Sequence, residues 1–81
     1  MAFDKARLAA SIRGRRAELN LNQSELASRV GVNITAISAW ENPDGGYVPG
    51  AENLWNLCVA LGCDLNELMG WDARRVRPAD L

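Results

Sequence analysis

The chain has no histidine, and it has only two cysteines, one tyrosine, one phenylalanine and three prolines in 81 residues. Without histidine it lacks the commonest general base and a usual zinc ligand, and Cys58 and Cys63 do not have the spacing of a zinc site. No glycine-rich phosphate loop or nucleophile elbow occurs either, so neither an enzyme nor a cofactor is expected. No apolar run approaches the ~20 residues that a membrane-spanning helix needs. Met1-Ala2-Phe3-Asp4 leads into no apolar signal segment. A cytoplasmic protein is expected, with no membrane partner and no small-molecule substrate.

Basic residues are missing from one long stretch. Residues 34 to 70 carry Glu41, Asp44, Glu52, Asp64 and Glu67 and no Lys or Arg, whereas residues 1 to 33 carry Lys5, Arg7, Arg13, Arg15, Arg16 and Arg29 against three acids. The net charge of −1 argues against indiscriminate attraction to polyanions, but this uneven placement predicts a molecule with one basic side.

What is present is helical punctuation. Asp4 is a good N-cap for a first helix over about residues 5 to 19, with Leu8, Ile12 and Leu19 near one stripe and Ala9 and Ala17 alongside; Asn20 should close it in the left-handed conformation, after which Leu21 packs inward. Asn22 and Glu25 have the spacing of a capping box opening a short second helix that buries Leu26, Ala27 and Val30 and stops at Gly31. Asn33 caps a third helix reaching about Asn42, with Ile37 and Trp40 inward. The segment from Asn42 to Gly50 concentrates turn formers and must be a loop.

A fourth helix starts near Ala51. Its apolar set of Leu54, Leu57, Cys58 and Leu61, with Trp55 and Val59 alongside, is wide enough to be mostly buried, and Gly62 closes it. Trp55 and Cys58 are thus expected in the core, as is Trp40. Asp64 and Glu67 box in a fifth helix from Leu65 to Met69, ended by Gly70. No strand signal appears, so the class is all-α, with one domain over residues 1–70 and a tail over 71–81.

The segment from Gln23 to Glu41 has a logic of its own. Two helices that cross steeply need a small residue where they approach, Ala27, and a left-handed turn, Gly31. Val32 and Ile37 wedge the second of them against the core. Asn33, Ile34, Thr35, Ser38 and Ala39 are then left outward, a small and mildly polar face able to enter a major groove.

Asn22-Gln23-Ser24-Glu25-Leu26-Ala27, Gly31-Val32-Asn33, Ile37-Ser38-Ala39-Trp40-Glu41 and Leu61-Gly62-Cys63-Asp64 follow one another in an order that strongly resembles the Cro/cI-type helix-turn-helix family of phage repressors and xenobiotic-response-element regulators. The resemblance covers about residues 8 to 70. It implies a five-helix, lambda-repressor-like domain that binds a double-stranded DNA operator as a homodimer. By position, Arg13, Arg16, Asn22, Gln23 and Asn42 would contact DNA phosphates, and Asn33, Ile34, Thr35, Ser38 and Ala39 would read bases. Arg16 would pair with Glu41 and keep guanidinium protons for a phosphate. In this chain the loop between Glu41 and Pro49 is longer than the family's and has no basic residue. The dimer contact is expected at the fifth helix and just beyond, near Leu68, Met69 and Trp71. The other reading of the same fold is an antitoxin or protein-interaction module.

Overall fold

The computed structural model describes residues 3–70, and five helices follow in chain order: α1 (Lys5–Glu18), α2 (Gln23–Val30), α3 (Ile34–Trp40), α4 (Ala51–Leu61) and α5 (Leu65–Met69). No strand occurs among the described residues. The Asp4 side chain accepts from the Arg7 backbone N–H at the head of α1. Asn20, at φ 57°, is the non-glycine residue in the left-handed region where the chain leaves α1. Asn pays little for that conformation because its short polar side chain bonds locally. Both expected capping boxes are formed, Asn22 with Glu25 and Asp64 with Glu67.

Leu8, Ile12, Leu26, Ile37, Leu57 and Leu68 are sealed completely and come from all five helices, so no helix can leave without opening the core. Around this centre α2 packs on α3 and α4, while α1 packs on α3, α4 and α5. Pro49 is buried at the end of the long loop, just ahead of α4.

Three expectations are corrected. Leu19 is exposed because α1 stops at Glu18 and the chain turns at Asn20, handing the inward place to Leu21, and Ala17, nine positions from Leu8 and so about 180° around the helix, faces outward. Trp55 and Val59 are 73% and 69% exposed. Each lies two positions from Leu57, about 200° around the helix at 3.6 residues per turn, so burying Leu57 turns both outward. Leu68, expected at a dimer contact, is fully buried within its own domain, and Met69 packs partly buried against the same core. Trp71, the third residue of that expectation, lies outside the described residues.

Candidate nucleic-acid interface

The α2–α3 unit is built from local rules. Gly31 at φ 85° lets its own N–H and that of Val32 both bond the Ala27 carbonyl, at 2.9 and 3.0 Å, turning the chain within two residues. Asn33 then caps α3 by accepting from the Ala36 N–H at 3.0 Å. Because Ile37 and Trp40 fix the buried side of α3, Asn33, Ile34, Thr35 and Ser38 come out exposed together, and Ala39 is half-covered near the start of the loop.

The far end of α3 is tied to α1. The Arg16 guanidinium meets the Glu41 carboxylate in a two-bonded fork, and its third bond goes to the Leu21 carbonyl at 2.9 Å. Three of its five N–H groups are thereby used, which leaves two. Hydrogen bonding to Glu41 is the main reason that the guanidinium pKa is raised; desolvation acts against it and the direct charge attraction adds to it. Glu41 is buried, yet it also accepts from Gln23 Nε2 at 3.2 Å. One carboxylate thus orients both Arg16 and Gln23, bringing α1, the head of α2 and the end of α3 to a single point. Asn22 and Asn42 are exposed near that point. The Asn42 side-chain oxygen accepts from the Asp44 N–H, and its amide protons have no partner among the described residues.

Arg13 is exposed on α1 and makes no hydrogen bond among the described residues. The other bases of α1 are engaged differently from the simple picture of a basic side. Arg7 donates to the Gly70 carbonyl, Arg15 to the Glu67 carbonyl, and Lys5 to the carbonyls of Ala39, Trp40 and Asn42. Sequence reasoning missed these partners. A base 34 or more positions from its acceptor leaves no periodic trace.

A short helix held by a glycine turn against a second one, whose polar outward face is pinned at its far end, defines a helix-turn-helix. Residues 12–68 match the Helix-turn-helix family, and the chain belongs to that family. It is 35% identical over 66 residues to the ImmF control region 10 kDa protein of Bacillus phage phi105, covering 82% of this chain and 71% of that protein. It is 38% identical over 68 residues to Repressor protein C2 of Salmonella phage P22, covering 84% of this chain and 31% of that protein. Among solved structures, the P22 c2 repressor in complex with synthetic operator 9T superposes with a TM-score of 0.73 at 38% identity, over 80% of this chain and 96% of that one. A hypothetical transcription factor, NHTF, from Neisseria gives 0.74 at 28% identity, over 89% and 79%. The five-helix, all-α architecture and the Cro/cI-type relationship expected from the motifs are thereby borne out.

Proposed function

We propose that the protein is a sequence-specific DNA-binding transcriptional repressor that acts in the cytoplasm on a palindromic operator. The observation that carries this reading is the outward face of α3. Asn33, Ile34, Thr35 and Ser38 stand exposed together on a helix whose opposite side is sealed by Ile37 and Trp40. Such a face offers an amide, two hydroxyls and apolar surface for thymine methyl groups, enough to read base edges in a major groove. Gln23, Asn22, Asn42 and the two remaining Arg16 protons lie at or next to the Glu41 junction, and with Arg13 on α1 they are the proposed phosphate contacts, which position without specifying. The superposition on a repressor held on operator DNA supports the same reading. Selection of bound sites from random duplexes, followed by titration against the selected and scrambled sequences over a salt series, tests it. The expected result is a preferred palindrome and a steep loss of affinity with salt; a flat salt response would favour a protein partner instead.

The exposed apolar residues of α4 and of the first position of α5 support dimerisation at a place other than Leu68. Trp55, Val59 and Leu65 stand beside a groove of about 510 Å³ that they line with Leu54, Cys58 and Cys63. A protruding indole next to an apolar hollow is self-complementary, as a two-fold contact requires. Operator half-sites that hold two copies side by side would bring these faces together.

A further inference from the structure

From the way α3 ends, we infer that Lys5 is a positioning residue for the DNA-reading helix and not a phosphate contact; this rests on the reading of α3 proposed above. Helices α2, α4 and α5 each close on a left-handed glycine, Gly31, Gly62 and Gly70. Helix α3 has none: Glu41 follows it in right-handed conformation, and its last turn contains no base. A helix leaves its final carbonyls without intrahelical donors and carries partial negative charge there. At α3 the turn that follows serves them in part, the Asn42 N–H bonding the Ala39 carbonyl, and another helix supplies the rest. Lys5 Nζ lies 3.3 Å from the Ala39 carbonyl, 3.2 Å from that of Trp40, and bonds that of Asn42 as well. An ammonium has three protons, and three carbonyls converge on this one.

The placement has a geometric consequence. Lys5 and Arg16 are eleven positions apart on α1, just over three full turns, so both project from one side of that helix at points about 17 Å apart. Arg16 takes hold of the side chain of Glu41 and Lys5 of the backbone just before and after it. A helix end held at one point can pivot; held at two, it keeps its angle. Ser38, on the outward face, lies in that last turn, and a base-reading side chain displaced by a fraction of an ångström loses its partner. The Lys5 charge is engaged by helix carbonyls and is therefore not exchanged for counterions when DNA binds.

Two measurements on the full chain test this. In operator titrations, Lys5→Met is expected to lower affinity for the selected operator about fivefold, or 1 kcal/mol, with affinity for a scrambled duplex and the slope of log K against log salt unchanged; Lys5→Arg, which keeps a donor and a charge, restores most of the loss. In the free protein, Lys5→Met is expected to speed amide hydrogen exchange at Glu41 and Asn42, whose acceptors lie in α3, and to leave the Leu26 amide in α2 unaffected. A salt slope lower by about one ion with both duplexes weakened alike would make Lys5 a phosphate contact and overturn the inference. Unchanged exchange at Glu41 and Asn42 would overturn it regardless of DNA. Loss of discrimination in the unsubstituted protein would instead strike at the reading of α3, and the exchange measurement would still decide the role of Lys5.

Discussion

Arg16 and Glu41 face each other edge to edge, Nε to Oε2 at 2.7 Å and Nη2 to Oε1 at 2.9 Å, with the Glu41 side chain 4% exposed and that of Arg16 16%. Removing one member of such a pair strands the other. Arg16→Ala is expected to destabilise the domain by about 3 kcal/mol or more, because an unpartnered buried carboxylate remains. Replacing both, as Arg16→Met with Glu41→Leu, should recover much of the melting temperature by exchanging the pair for packed apolar groups. In titrations of folded Arg16→Ala the scrambled duplex should weaken, with the salt slope reduced by roughly one ion, and the operator should weaken further because one of the two holds on α3 is lost. An unaltered affinity and slope would remove Arg16 from the phosphate set.

Thr35 and Asn33 separate reading from positioning, though Asn33 also caps α3. Thr35→Ala is expected to cost about 1–3 kcal/mol on the preferred operator and little on random DNA. Asn33→Ser keeps a capping oxygen while losing the amide, so its operator loss should not be accompanied by a large drop in melting temperature. Gln23→Ala should weaken both duplexes. Equal losses on both duplexes for Thr35→Ala would mean that α3 is not the reading element.

Asn20 holds a left-handed turn at φ 57°. Asn20→Gly should leave thermal stability unchanged or raise it, whereas Asn20→Ala, whose Cβ meets the full conformational cost, should lower it by about 1 kcal/mol. Thermal unfolding followed by circular dichroism is sufficient; a more stable alanine variant would contradict the turn described.

Cys58 and Cys63 both have raised thiol pKa values, in each case chiefly from burial; hydrogen bonding from Cys63 partly opposes the rise at Cys58, and Arg15 partly opposes it at Cys63. A raised folded-state pKa means that the native state holds its thiol protons longer than the unfolded chain. The resulting stability is fully present below the ordinary thiol range and is lost as pH rises through and above it. Denaturation midpoints should therefore fall from pH 8 towards pH 10 in the unsubstituted protein, and less steeply in Cys58→Ala with Cys63→Ala. Iodoacetamide at pH 7.5 should modify the native protein more slowly than a free thiol peptide.

Trp55→Lys should leave the affinity for a single half-site intact and lower affinity for the full palindrome, because only the second case needs two copies in contact. Sedimentation on operator DNA separates the two stoichiometries. Unimpaired two-copy binding would move the dimer contact away from α4.

The elements most legible in the sequence are those governed by neighbours. The Asn22–Glu25 and Asp64–Glu67 boxes, the left-handed closures at Gly31, Gly62 and Gly70, and the caps at Asp4 and Asn33 all join residues within about one turn, and all form as expected. The pairing of Arg16 with Glu41 was legible through family resemblance, since nothing local links positions 25 apart. Trp55 and Val59 were misplaced because apolar character marks a residue for burial without saying against what. The choice between their side of α4 and that of Leu57 is made by α2 and α5. Leu68 illustrates the converse: a short fifth helix has little area to seal a core, and its one fully buried residue is committed to that task, with Met69 partly covered beside it.

The Arg7 bond to the Gly70 carbonyl joins positions 63 apart, and Ser11 and Arg15 reach the Glu67 carbonyl across 56 and 52. During synthesis α1 therefore emerges first and finds its last acceptors only after α5 has left the ribosome. Helices α2 and α3 are adjacent and can pair early, but the side of the domain that fixes their pose closes at the end. Such long-range closure slows folding relative to a helical hairpin. Because the sealed core draws on all five helices, the arrangement that holds α3 is completed only with the last of them.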